Sequence, residues 1–130
     1  MDGVVIYFGG AAIEEVCREF DATLSGADPD TEFAVFPYED DGWRTELDGD
    51  EVTRLVRALG MLPSCAVHIA SRHGQAARHA LSAVAAVMSK FPNSVLDGDF
   101  DRLWSASQVM ALGRMEPSKG LYAFPQSSED

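Results

Sequence analysis

Short apolar runs and helix-spaced apolar stripes alternate along nearly the whole of this 130-residue chain, and that alternation restricts its fold more than any other feature. Val4-Val5-Ile6-Tyr7-Phe8 is a continuous apolar run halted by Gly9-Gly10, the pattern of a central strand closed by a turn. Ile13, Val16, Cys17, Phe20 and Leu24 then recur at helical spacing, with Glu14, Glu15, Arg18 and Glu19 on the other side. This predicts an amphipathic helix that stops at Gly26. Asp28-Pro29-Asp30 has turn chemistry. Phe33, Val35 and Pro37 alternate with Glu32, Ala34 and Phe36 as a second strand, which Pro37 either ends or marks as an edge.

Residues 39–50 read as an acidic loop with a hairpin signal at Asp41-Gly42. Asp48 and Glu51 have the spacing of a capping box. They open a helix with Val52, Leu55, Val56 and Leu59 as its buried stripe and Gly60 as its stop. Residues 65–70 form a strand, with Cys65, Val67 and Ile69 on one face and Ala66, His68 and Ala70 on the other. A long helix is predicted over 75–91, striped by Ala77, Leu81, Val84, Met88 and Phe91. Residues 93–96 form a strand, Asp97-Gly98-Asp99 a tight turn, and Leu103-Trp104 the returning strand. Ser105 and Gln108 make a second capping box, opening a short helix through Val109, Met110 and Leu112 to Gly113. Leu121-Tyr122-Ala123-Phe124 is a last apolar patch, and 126–130 is a polar tail expected to fray.

The expectation is one α+β domain over 1–125. Its mixed or antiparallel sheet has four to five strands, with helices packed on one face, an arrangement of ferredoxin-like character. The alternative is a small three-layer α/β fold, weakened because no βα turn carries a phosphate-type glycine pattern. The apolar content of 46% suits a folded body rather than a disordered one. The best candidate for a membrane span, 76–88, is too short and is interrupted by Arg78 and His79. The opening residues lack a secretory pattern. Cys17 and Cys65 both lie in apolar patterns, so free buried thiols in a reducing cytoplasm are expected.

Charge is the best guide to function. The first 51 residues hold fifteen Asp/Glu against Arg18 and Arg44, a net of −13, whereas the remainder carries +2. Between 28 and 51 there are ten carboxylates and one Arg. Such a field attracts basic partners and repels nucleic acid and anionic membrane.

Chemical motifs are weak by comparison. Gly9-Gly10 lacks the third glycine and the Lys-Ser/Thr of a phosphate loop. Asp97, Asp99 and Asp101 imitate a calcium loop, but Arg102 stands where its glycine belongs and Gln108 where its closing Glu belongs. His73 and His79 lack chelating spacing, and Cys65 and His68 point to opposite strand faces. Neither a catalytic set, a cofactor site nor a metal site emerges. Ser71-Arg72-His73-Gly74, between a strand and a helix, remains a possible small-molecule or anion corner. Within the acidic run, Tyr38 and Trp43 stand among Glu39, Asp40, Asp41, Glu46 and Asp48. Aromatic anchors ringed by carboxylates suit the binding of a basic protein.

In the C-terminal half, an Ala-rich helix is followed by Asn93-Ser94-Val95-Leu96, Asp97-Gly98-Asp99 and Arg102-Leu103-Trp104-Ser105. These resemble small acidic proteins encoded beside bacterial polymorphic toxins, namely immunity proteins and their uncharacterised relatives. The resemblance covers about 50 residues and carries over no functional residue. It implies a cytoplasmic bacterial protein that neutralises a cognate toxin by direct binding. A small α+β enzyme or ligand-binding domain with a pocket near Ser71, Arg72 and His73 is one alternative, and an adaptor or assembly subunit another. The oligomeric state is open.

Overall fold

The computed structural model describes residues 2–24, 33–38, 42–71, 75–97 and 103–115. Its elements are β1 (Asp2–Phe8), α1 (Ile13–Leu24), β2 (Phe33–Pro37), a 3-10 helix (Gly42–Glu46), α2 (Gly49–Leu59), β3 (Cys65–Ser71), α3 (Gln75–Lys90), β4 (Ser94–Asp97), β5 (Leu103–Ser105) and α4 (Ala106–Met115). Five strands form one sheet in the order β2-β3-β1-β4-β5, and every neighbouring pair is antiparallel. The fold is therefore α+β. The order β4-β1-β3-β2 is the ferredoxin-like one, with α1 and α3 as crossovers and β5 added outside β4. A doubly wound sheet is excluded, since it needs parallel neighbours.

The period of two along the strands divides the core into two sides. Val4, Ile6 and Phe8 of β1 join Cys65, Val67 and Ile69 of β3 on one face, with Leu96 and Trp104. Val16 and Phe20 of α1, Val84, Val87 and Met88 of α3, and Ala106 and Val109 of α4 close over them. The opposite face carries Tyr7, Ala66 and Val95, covered by Trp43 of the 3-10 helix and by Leu55 and Leu59 of α2. Packing on a single face thus holds for three helices, while α2 forms a third layer. Its stripe looks like any other stripe in sequence, and nothing local tells it which side of the sheet to cover.

Several ends follow directly from local chemistry. The Glu51 N–H donates to Asp48 Oδ1 at 2.8 Å and the Asp48 N–H to Glu51 Oε1 at 3.0 Å, so α2 opens on a complete capping box. Gly60 closes it at φ +79°, its N–H bonded to the Val56 carbonyl at 2.7 Å. At α4 the Ser105 N–H meets Gln108 Oε1 at 2.8 Å, and the Gln108 N–H meets Ser105 Oγ at 3.2 Å. This helix runs on to Met115 instead of stopping at Gly113. A glycine inside a helix weakens it by about 1 kcal/mol without having to end it, whereas Gly60 ends α2 in the left-handed conformation. A 3-10 helix replaces the hairpin expected at Asp41-Gly42. Strands β4 and β5 pair antiparallel as expected, but Asp97 belongs to β4, opposite Leu103, rather than to a tight turn, and residues 98–102 lie outside the described residues. No described helix is long and apolar enough to cross a membrane.

Candidate functional site

The acidic segment lies between β2 and α2, and its middle is anchored by Trp43. The indole is only 2% exposed and meets the Tyr7 ring edge-on, with centroids 5.8 Å apart and planes at 81°. Arg44 lies over the outer face of the ring, 5.6 Å from its centroid. Thr45 Oγ1 donates to the Gly42 carbonyl at 2.9 Å and the Leu47 N–H to the Arg44 carbonyl at 3.2 Å, which tightens the turn. Tyr38 is half-buried against the same cluster, and its N–H donates to the Ala66 carbonyl at 3.0 Å.

This corrects the reading of Trp43 as a surface anchor. An indole inside a charged run is still a large apolar group, and the sheet offers it a dry site beside Tyr7. Tyr38 and Trp43 therefore mount the acidic segment on the second core. Asp48 is exposed and spends its carboxylate on the α2 cap. Glu46 ends the 3-10 helix. Glu39, Asp40 and Asp41 lie outside the described residues, as do Arg72, His73 and Gly74 of the alternative corner and the apolar patch 121–124.

Next to this mount is an open cleft lined by Tyr7, Leu47, Glu51, Arg54, Leu55, Asp97 and Leu103. It is shallow and open to solvent, and the space it encloses falls well short of a small-molecule site. The floor is apolar, and the wall mixes two carboxylates with one guanidinium. Asp97, read from sequence as part of a turn or an imitation calcium loop, sits at the end of β4 on this cleft. Sequence reasoning missed Arg54 and Asp97 as neighbours, because only the hairpin and the placement of α2 bring them together.

The remaining corners have structural occupants. At the start of α1, Glu15 Oε1 accepts the Ala12 N–H at 3.3 Å, so a carboxylate of the chain itself stands where a phosphate loop would hold its anion. Gly9 is held by its N–H to the Asn93 carbonyl at 2.9 Å, and a Cβ there would lie 2.5 Å from Asn93 Nδ2. Cys65 is buried, and its thiol points at the Ala11 carbonyl 3.5 Å away. Burial pushes its pKa up. Cys17 is half-buried rather than in the core, and its pKa is also raised, first by burial and then by Asp21 and Glu14. Both cysteines are free. Among the described residues, no three His, Cys, Asp or Glu side chains lie where they could share a metal ion. Comparison with protein-family models, with curated proteins and with solved structures returns no match.

Proposed function

We propose that the chain is a non-enzymatic binding module for a basic protein, and specifically an immunity protein that neutralises a cognate toxin in the cytoplasm of a bacterial cell. The observation that carries this reading is the acidic segment fastened to a folded core at both Tyr38 and Trp43. A solvated charge run needs no such mount. A recognition surface gains from one, because a segment fastened on both sides has less freedom to lose on binding. The ten carboxylates between 28 and 51 act over a distance, speeding encounter with a basic surface and disfavouring acidic competitors.

The test is co-expression with the toxin domain encoded by the adjacent gene. Growth should be restored by this chain and lost again when Glu39, Asp40 and Asp41 are neutralised together. Purified, that triple variant should associate more slowly and with a flatter salt dependence, since exposed charges are screened beyond roughly 8 Å at physiological salt. Continued toxicity in the presence of a folded, well-expressed wild-type chain would reject the immunity reading. Trp43 is unsuitable as a binding probe, since its removal damages the mount before it touches a partner.

A further inference from the structure

Strand β2 is an edge of the sheet, with β3 as its one neighbour among the described residues. The bond from the Tyr38 N–H to the Ala66 carbonyl fixes the phase of that ladder. In antiparallel register, Tyr38, Phe36 and Ala34 turn their backbone groups toward β3, while Val35 and Pro37 turn theirs outward. Pro37 costs the ladder nothing, because the N–H it lacks would have faced away. The outer edge thus presents the Val35 N–H together with the Val35 and Pro37 carbonyls.

Beside this edge, the Phe36 ring is 54% exposed and stacks on the half-buried His68 ring, with centroids 6.1 Å apart and planes at 28°. Both project from the face that carries the second core. Trp43 and α2 cover Tyr7, Ala66 and Val95 there, and Phe36 stays open. In sequence, Asp28, Asp30 and Glu32 precede the strand and Glu39, Asp40 and Asp41 follow it. No Lys or Arg occurs from 19 to 43. Antiparallel pairing with a second copy would set the acidic run before one strand against the acidic run after the other. Repulsion disfavours that dimer, as charge at sheet edges commonly does, and the same charges attract a strand flanked by Lys and Arg.

We infer that the β2 edge is the docking site, and that its occupant is an extended segment of the partner protein with basic residues at both ends. The segment adds to the sheet as a further strand and sets an apolar side chain on the Phe36–His68 pair. Backbone bonds supply part of the affinity, and this pair with the acidic flanks supplies selectivity. The inference rests on the reading of the chain as a binder of basic protein.

The experiment uses the full chain, labelled for amide spectroscopy and hydrogen exchange, with three synthetic peptides. The first is Arg-Lys-Val-Thr-Val-Lys-Arg, the second replaces its basic residues by Glu, and the third keeps the basic sequence but is N-methylated along its backbone. The first peptide should shift the β2 amides and slow exchange at the Val35 N–H by about tenfold or more. The other two should leave Val35 unchanged. Phe36→Ser, checked by a thermal melt to remain folded, should weaken binding of the first peptide by about tenfold. If both basic peptides bind but shift only α2 and the 3-10 helix, the edge proposal fails and the basic-partner reading stands. If neither basic peptide binds, both fail. Protection of Val35 that grows with protein concentration and needs no peptide would assign the edge to a second copy and overturn the proposal.

Discussion

The two faces of one sheet are built from alternate residues of the same strands, yet they are finished differently. On the first, α1, α3 and α4 close over a large core in which Ile6, Phe8, Val67, Ile69, Val84 and Leu96 show no exposure. On the second, one helix and a 3-10 turn cover a smaller, aromatic cluster beside an open cleft and the exposed Phe36. The first face accounts for folding. The second holds the acidic segment in place and keeps surface available. Density of packing and availability for binding are opposed demands, and this chain assigns them to opposite sides.

The largest effect that would test this contrast is truncation in the first core. Phe20→Ala, at a side chain 1% exposed between α1 and the sheet, should cost about 3–5 kcal/mol in urea unfolding. Trp43→Ala should cost about 3 kcal/mol, the lower end for a buried tryptophan, because the thinner second layer can partly collapse. Amide exchange should then rise in α2 and the 3-10 helix while α3 keeps its protection. Uniform acceleration across both faces would mean that the two cores form a single cooperative unit, which would erase the distinction.

Smaller changes sharpen it. Asp48→Ala removes one half of the α2 capping box and should lower stability by about 1 kcal/mol, read as a shift of the urea midpoint. The cysteines report on the first face and its margin. Cys17 should be alkylated well before Cys65, as followed by mass spectrometry over time, and equal rates would place Cys65 outside the closed core. Both thiols have raised pKa values, so folding favours their neutral forms. That contribution is complete below the ordinary thiol value of about 8.5 and is lost as pH rises through the folded value. A stability profile that declines on the alkaline side, and less so in Cys65→Ala, is the expected result. Least of all, Lys90→Ala should change stability by under about 1 kcal/mol, since the 2.8 Å Lys90–Glu19 pair between α3 and α1 is largely exposed at the lysine.

What could be read from residues alone was whatever depends on neighbours a few positions away. The alternation in β3 separated Cys65, Val67 and Ile69 from Ala66 and His68 correctly. Both capping boxes and the Gly60 stop appear as spelled, because cap and helix are three or four residues apart. The edge position of β2 was hinted at by Pro37. Of the candidate site, the acidic run was plain in the sequence and its support was not. The stripe of α2 cannot state which face it covers, and Trp43 cannot be told from an exposed anchor until Tyr7 is brought beneath it. Those outcomes depend on pairings such as Asp2 with Ser71, and on an arrangement in which α2 and the 3-10 helix share the face opposite the other helices. Local patterns select the elements because their energetics close within a turn or a strand. Only the assembled sheet decides what each element touches, since burial is a property of the surfaces that meet.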